Sequence, residues 1–130
     1  MKSMLRTLAA ASLGLAVVAT SVVAAPNDYV FEPVSANVRK GGGSELAVRL
    51  LHKPTGKPVE GAVLLRTRLD MSPDGMEMMT AKHTALPTSE PGVYKFTADL
   101  TMVGGWALKL AAQVPGESET VQGTVVFKAK

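Results

Sequence analysis

The feature that most constrains the fold of this chain is an alternation of apolar and polar residues with a period of two. The first such segment is 46–51, where Leu46, Val48 and Leu50 share one face of an extended chain. The same alternation returns in residues 63–70, 94–100, 106–113 and 121–127. A period of two is typical of strands that bury one face, and the sequence shows no sustained helical period after the N-terminal segment. The pattern therefore predicts an all-β domain.

Turn-forming residues separate the predicted strands. Residues 72–75 (Ser-Pro-Asp-Gly) suit a type I turn, because proline presets the backbone angle of the second position and glycine relieves the exit. Similar breaks occur at residues 54–58, 90–92 and 115–118. Six or seven short strands joined by such turns in about 100 residues predict an antiparallel β-sandwich. We expect the glycine-rich residues 41–44 to form a flexible loop.

The N-terminal segment has the organisation of a secretory signal peptide. Lys2 and Arg6 supply a positive start, and residues 8–23 carry no charge. The small residues Ala24 and Ala25 then fit the site of a signal peptidase. A retained membrane anchor is the alternative, because about 20 apolar residues can span a bilayer.

The preferred interpretation divides the chain in two. Residues 1–24 are expected to be removed by cleavage near Ala24 or Ala25, and residues 25–130 to form a single exported domain. The sequence contains no second apolar segment of spanning length. We therefore expect a soluble periplasmic protein with no membrane span after signal cleavage.

Composition argues against several classes of function. The chain has 14 Lys and Arg against 11 Asp and Glu, and removal of Lys2 and Arg6 leaves a net charge near +1. No basic run stands out, so we expect no binding to nucleic acid. The sequence has no cysteine, which excludes disulfides, thiolate ligands and thiolate nucleophiles.

Catalytic constellations are equally hard to find in the sequence. Ser72 lies near His83, but nothing resembles a nucleophile elbow. Asp70 and Asp74 lie around a predicted turn and are interpreted as solvated charges. We therefore expect a binding protein and not an enzyme.

Methionine is concentrated in one short segment. Met71, Met76, Met78 and Met79 lie within nine residues, and Met102 is the fifth methionine after the predicted signal peptide. Thioether sulfur is soft and carries no proton, so it selects Cu(I) or Ag(I) over hard divalent cations. Methionine also suits an oxidising compartment, where free cysteines tend to form disulfides. The cluster predicts a site for a soft metal ion.

The predicted ligands are Met76, Met78 and Met79, joined by the imidazole of His83. Trp106 is predicted to cap the site through contact between the cation and the ring face. In a strand, Met76 and Met78 would face one side and Met79 the other, whereas a loop would let all three converge. His83 is alternatively an exposed polar residue, and Trp106 is alternatively the central aromatic residue of the core.

Packing is the alternative explanation for the methionines. Met71 is in phase with Val63, Leu65 and Leu69, so we expect it in the core. Met102 is also a predicted metal ligand, and burial in the core is its alternative, because it continues the phase of the preceding strand. The three methionines after the turn fit a core position less well. An exposed apolar cluster of that kind marks a binding surface, for a metal or for a partner protein.

Four short motifs in a fixed order resemble those of the YtkA-like/FixH-like domains. They are residues 56–63 (Gly-Lys-Pro-Val-Glu-Gly-Ala-Val), the methionine-rich residues, residues 91–94 (Pro-Gly-Val-Tyr) and residues 102–108 (Met-Val-Gly-Gly-Trp-Ala-Leu). The resemblance covers essentially the whole chain after the signal peptide. It implies an immunoglobulin-like β-sandwich outside the cytoplasmic membrane, in a family associated with copper handling, assembly of copper-containing oxidases and heavy-metal efflux.

Five residues match the family's motifs by position. Met76, Met78 and Met79 match its methionine segment, and Met102 and Trp106 match its Met-x-Gly-x-Trp motif. FixH itself is membrane-anchored, whereas this chain is predicted to be released. Together with the methionine cluster, the resemblance predicts a periplasmic accessory protein that binds Cu(I) or Ag(I) and serves a metal-efflux or oxidase-assembly membrane complex. The alternative is an adaptor-type domain whose methionine-rich surface contacts such a partner without a metal.

Overall fold

The alternating segments of the sequence form the long strands of the molecule. The computed structural model describes residues 26–130, so the predicted signal peptide lies outside the described residues. The strands are β1 Tyr29–Pro33, β2 Asn37–Val38, β3 Gly41–His52, β4 Lys57–Pro58, β5 Val63–Met71, β6 Met76–Thr80, β7 His83–Leu86, β8 Val93–Leu100, β9 Gly104–Gln113 and β10 Val121–Ala129. Short 3₁₀ turns lie at Pro26–Asp28 and Ser72–Asp74. Among the described residues, no helix has the length and apolar character needed to cross a bilayer.

The strands form two sheets. The first has the order β1-β3-β8-β7, with β4 also paired to β3, and the second has the order β2-β10-β9-β5-β6. The predicted immunoglobulin-like β-sandwich is confirmed. The described chain has eight strands of four or more residues, where six or seven were predicted, because β6 and β7 form separate strands. It also departs from a purely antiparallel arrangement, since β2 runs parallel to β10.

The core lies between the sheets, where the predicted inward faces meet. Leu46, Val48 and Leu50 of β3 are fully buried, as the alternation predicted. The largest buried side chains are Trp106, Phe96 and Phe127. Full burial of a large apolar side chain contributes about 1.5–3 kcal/mol. Because the sequence has no cysteine, this packing is what stabilises the described domain.

The phase of β5 changes part-way along the strand. Leu64 pairs with Ala112 and Arg66 with Ala111, so Leu65 is an extra residue that forms a β-bulge. Because of the extra residue, the side chains before the bulge point to the opposite face of the sheet from the one that the alternation predicts. Val63 and Leu65 are accordingly 58% and 52% exposed. The expectation that Val63 and Leu65 face the core was therefore wrong.

After the bulge, the predicted phase of β5 holds. Leu69 and Met71 belong to the buried core, and Met71 is fully buried. The prediction that Met71 is a core methionine is confirmed.

The glycine-rich residues 41–44 begin a strand, which corrects the loop that we expected from the sequence. Gly41 pairs with Leu100 and Ser44 with Ala98, and the register between these two pairs shifts by one residue. The Ser44 hydroxyl donates to the carbonyl oxygen of Gly41 at 3.1 Å. This irregular start lets β3 reach the end of β8.

A group of contacts around Tyr94 joins β8 to the loop that precedes β5. The Tyr94 hydroxyl donates to the carbonyl oxygen of Val59 at 2.8 Å and accepts from the N–H of Ala62 at 3.1 Å. Gly92 has a φ of +74°, and a Cβ atom at this position would overlap the ring of Pro58. We call these five residues the Tyr94 corner.

Candidate functional site

A tight turn leads from β5 into the methionine-rich residues. Ser72–Asp74 form a single 3₁₀ turn, and the N–H of Gly75 donates to the carbonyl oxygen of Ser72 at 2.9 Å. Gly75 has a φ of +76°, a left-handed conformation that glycine adopts at little steric cost. The turn predicted at residues 72–75 is therefore confirmed, and Met76 follows it as the first residue of β6.

β6 pairs with β5 only through an insertion. Met71 pairs with Met76 and Asp70 with Thr80, so one step along β5 corresponds to four steps along β6. Residues 77–79 are thus inserted between two successive pairs as a large β-bulge at the edge of the sheet. We call residues 76–79 the methionine segment.

The insertion places the Met78 side chain in solvent and leaves Met76 and Met79 partly exposed. Met78 is 89% exposed, and Met76 and Met79 are 36% and 37% exposed. The sequence left open whether these residues form a strand or a loop, and the structure combines the two in a bulged edge strand. The methionine segment is therefore a surface feature and not part of the core.

A buried carboxylate lies at the base of the methionine segment. Asp70 is fully buried and accepts hydrogen bonds from Arg68 Nε at 2.8 Å and from the N–H of Ser72 at 2.9 Å. Lys109 Nζ lies 3.1 Å from the same carboxylate. Burial by itself raises the pKa of Asp70, but the hydrogen bonds from Ser72, Arg68 and Lys109 together outweigh burial and hold this pKa well below its usual range.

The same two cations reach the inserted residues. Arg68 Nη2 donates to the backbone carbonyl oxygen of Glu77 at 2.9 Å, and Lys109 Nζ lies 3.6 Å from the Glu77 carboxylate. Since the Arg68 and Lys109 side chains are 49% and 35% exposed, solvent screens each ion pair. Arg68 and Lys109 therefore link the bulge to buried Asp70 through Glu77, by contacts that involve no methionine side chain.

Paired glycines support the turn from the other side. The Asp74 carboxylate accepts from the N–H of Gly105 at 3.1 Å. Gly104 has a φ of +131°, and a Cβ atom there would overlap the Asp74 carboxylate. A Cβ atom at Gly105 would come within 2.9 Å of Pro73. Glycine at both positions lets the turn pack closely on the start of β9.

A family relationship is found over most of the chain. The family model of YtkA-like domains matches residues 23–111. The chain belongs to the YtkA-like family. No curated protein sequence matches this YtkA-like domain.

Two solved structures are similar in fold to the YtkA-like domain. The Lin-41 filamin domain has a TM-score of 0.42 and 16% sequence identity, over 79% of this chain and 92% of that domain. The ZirS C-terminal domain has a TM-score of 0.42 and 12% identity, over 95% of this chain and 87% of that domain. Both likenesses concern the fold alone.

Three of the four motifs that suggested the YtkA-like family have structural roles. The Gly-Lys-Pro and Pro-Gly-Val-Tyr motifs meet at the Tyr94 corner, where Pro58 packs against Gly92. The motif at residues 102–108 supplies the paired glycines under the turn. The methionine segment belongs to the fourth motif, and its Met78 side chain, which is 89% exposed, does not have a comparable packing role.

His83 lies between the two sheets of the YtkA-like domain. Its Nδ1 atom is 3.1 Å from the carbonyl oxygen of Ala81, and its Nε2 atom is 2.7 Å from Thr67 Oγ1. Because a carbonyl oxygen only accepts, Nδ1 carries a hydrogen, and in the neutral ring Nε2 then accepts from the Thr67 hydroxyl. Both ring nitrogens are thus engaged, and His83 would have to give up one of these bonds to bind a metal.

Trp106 and Met102 differ in their environments. Trp106 is fully buried, and its indole N–H donates to the carbonyl oxygen of Met102 at 3.0 Å. Trp106 therefore has the core position that was its alternative interpretation, and a role as a metal cap would require its ring to reach the surface. Met102 follows the end of β8 and is 39% exposed, so it does not have the core position that was its alternative interpretation.

Sequence reasoning missed the buried carboxylate. Asp70 was interpreted as a solvated charge, yet it is fully buried between Arg68 and Lys109. The signal that pointed to it is the spacing of Arg68 and Asp70, since residues two apart in a strand share a face. Asp74 is exposed, as expected, but its carboxylate accepts a hydrogen bond from the N–H of Gly105.

The donor types on this surface limit its metal chemistry. Within residues 26–130, no three His, Asp or Glu side chains form a group that could hold a metal ion. The methionine segment offers three thioether sulfurs, and Met102 offers a fourth at the connection that leads into Gly104. Thioethers favour soft monovalent ions.

Proposed function

We propose that this YtkA-like domain is an exported accessory protein that binds Cu(I) or Ag(I) through the thioethers of the methionine segment. The observation that carries the proposal is the exposure of Met76, Met78 and Met79 on an inserted bulge whose anchors are other residues. In this proposal the ion is cargo, which the domain passes to a membrane complex for metal efflux or oxidase assembly.

The chemistry of the donors supports a monovalent soft ion. A thioether is neutral and has no proton to lose, so its affinity for Cu(I) does not depend on deprotonation of the ligand. Three neutral sulfurs leave the charge of the ion in place, which suits a singly charged cation better than a divalent one. Export to an oxidising compartment favours methionine over cysteine for this purpose.

The position of the site supports transfer and not storage. Met78 is 89% exposed on an edge strand, where a partner protein has direct access to it. Arg68 and Lys109 hold the backbone of the bulge through Glu77, and the Met78 side chain beside it is open to an approaching ion. Met102 is the candidate for an additional sulfur ligand, because it lies two residues before Gly104, which packs under the same turn.

Anaerobic titration with Cu(I) against a competing chromophoric ligand tests the proposal. The variant replaces Met76, Met78 and Met79 with Leu, which keeps the apolar volume and removes the sulfur. We expect the triple variant to bind Cu(I) at least about tenfold more weakly, a loss of about 1.4 kcal/mol or more. The matched control is Met71→Leu, which removes a sulfur from the core and should leave the affinity unchanged.

Equal affinities of the wild type and the triple Leu variant would contradict metal binding at this segment. A loss of affinity in Met71→Leu as large as in the triple variant would also contradict it. In that case the affinity would follow the integrity of the fold and not the exposed sulfurs.

A second candidate function is contact with a partner protein, and the edge position of β6 favours it. Exposed apolar side chains on an unpaired edge mark a surface that other proteins can cover. Val63 and Leu65 are also exposed, at 58% and 52%, but they lie at the opposite end of β5 from the residues that pair with β6. Flexible methionine side chains also adapt to varied partners.

Two different substitutions of the three methionines distinguish metal binding from contact with a partner protein. Replacement of the three methionines by Leu removes the sulfur but keeps the apolar surface, whereas replacement by Ser removes both. Cu(I) binding should be weakened at least about tenfold in both triple variants. Co-purification with a membrane complex that depends only on apolar contact should survive in the Leu variant and be lost in the Ser variant.

A further inference from the structure

The described methionines fall into three environments. Met71 is fully buried, Met76, Met79 and Met102 are between 36% and 39% exposed, and Met78 is 89% exposed. Two-electron oxidants convert an accessible thioether to a sulfoxide, and accessibility governs which methionine reacts first. The chain therefore carries a graded series of methionines that leads to one fully accessible sulfur.

We infer that Met78 is the preferred site of methionine oxidation in this protein, and that its sulfoxide forms without loss of the fold. The oxidant is hydrogen peroxide. The sulfur lone pair attacks one peroxide oxygen and the O–O bond breaks. A sulfur–oxygen bond forms, and the remaining oxygen leaves as water with both peroxide protons. The sulfur loses two electrons and the peroxide gains two.

The contacts of the methionine segment explain why the fold tolerates this change. The bulge is held by the bond from Arg68 to the Glu77 carbonyl oxygen and by the contact of Lys109 with the Glu77 carboxylate. Neither contact uses the Met78 side chain. The new polar oxygen on Met78 stays in water, whereas a sulfoxide at Met71 would place a polar group in the core without a partner.

Oxidation also changes the chemistry of the donor. A thioether is a soft sulfur ligand, while a sulfoxide presents a hard oxygen to an approaching cation. In the part of this inference that rests on the proposed function, oxidation of Met78 lowers the affinity for Cu(I). The modification site would then act as a redox-sensitive control of metal binding.

Graded treatment of the purified protein with hydrogen peroxide, followed by peptide mass spectrometry, tests the inference. Trypsin leaves Met71, Met76, Met78 and Met79 in one peptide between Arg68 and Lys82, so fragment ions must assign the site. We expect Met78 to react at least about twice as fast as Met76, Met79 and Met102, and at least about ten times as fast as Met71, whose oxidation requires local opening. Circular dichroism should stay unchanged while Met78 is converted.

Two results would overturn the inference. One is a Met78 rate no higher than that of Met102, which is partly exposed in a different connection. The other is loss of the folded signal in step with Met78 oxidation. The variant Met78→Leu supports the assignment if the fastest oxidation phase disappears while the phase of Met102 stays unchanged.

Titration of the same samples with Cu(I) separates this inference from the proposed function. If unoxidised protein fails to bind Cu(I), the proposed function fails, while the order of oxidation still supports Met78 as the modification site. If unoxidised protein binds Cu(I) and the Met78 sulfoxide binds it equally well, metal binding stands and the control by oxidation is overturned.

Discussion

The Tyr94 corner and the methionine segment both carry motifs of the YtkA-like family, yet they use their residues in opposite ways. At the corner, the Tyr94 hydroxyl makes two backbone hydrogen bonds and buried Gly92 lies against Pro58. In the methionine segment, three apolar side chains are exposed while Arg68 and Lys109 hold the backbone. Folding accounts for the residues of the corner. It does not account for Met78, whose side chain is 89% exposed and is therefore available for binding.

Glycine substitutions provide the largest expected contrast between the two regions. Gly92 and Gly75 have nearly the same φ, +74° and +76°, but a Cβ atom would overlap Pro58 at Gly92 and meet open space at Gly75. We expect Gly92→Ala to lower the free energy of unfolding by about 3 kcal/mol, since backbone strain and overpacking add. Gly75→Ala should cost only about 1 kcal/mol, from backbone strain alone. Urea unfolding measures both, and equal losses would show that the corner is not more tightly packed than the turn.

The next effect concerns the anchor of the methionine segment. Asp70→Asn removes the charge from a buried carboxylate that faces Arg68 and Lys109, and we expect a loss of about 2 kcal/mol at neutral pH. That loss is smaller than for a fully buried ion pair, because both cations are partly exposed to solvent. Metal affinity should fall together with stability, since the bulge loses its attachment.

The pH dependence of stability gives an independent check on Asp70. Its pKa in the folded protein is lowered below the ordinary value of 3.8, so the stabilisation is complete above that pH and is lost as the pH falls below it. Asp70→Asn should flatten this part of the acid limb of the stability curve. Parallel acid limbs for wild type and variant would mean that Asp70 is not the group responsible.

The third effect tests whether the corner is independent of the site. Tyr94→Phe removes the bond to the Val59 carbonyl oxygen and leaves the Ala62 N–H without its partner. We expect a loss of about 1.5 kcal/mol, visible as a fall in Tm of several degrees. Cu(I) affinity should stay unchanged in this variant under conditions where it remains folded. A parallel loss of affinity would mean that the two regions are coupled.

Regular strands were predictable from the sequence because their pattern is local. The alternation that begins at Leu46 and the one that begins at Trp106 each identify a buried face without knowledge of the neighbouring strand. The same reasoning placed Met71 in the core. Burial of Trp106 was also foreseen as an alternative to its role as a metal cap.

Irregular features were not predictable because they depend on strands that are distant in the sequence. The bulge at Leu65 exists only in relation to the register of β9, and the insertion at 77–79 only in relation to β5. Asp70 is buried with the help of Lys109, a residue 39 positions away. For the candidate site, the sequence identified the sulfur donors, but it did not reveal the charged anchor that presents them.

The smallest expected effect on stability is the most informative about the methionine segment. Met78→Ser truncates a side chain that is 89% exposed, so the free energy of unfolding should change by less than about 0.5 kcal/mol. Met71 is the buried methionine before the turn, and Met71→Ala should lower the free energy of unfolding by about 3 kcal/mol, because it removes buried apolar surface and leaves a cavity. Chemical denaturation of the two variants measures this difference. A cost for Met78→Ser close to that of Met71→Ala would mean that Met78 is packed in solution, and the reason for assigning it a binding role would disappear. A negligible cost combined with a loss of Cu(I) affinity is the behaviour of a residue that serves binding and not folding.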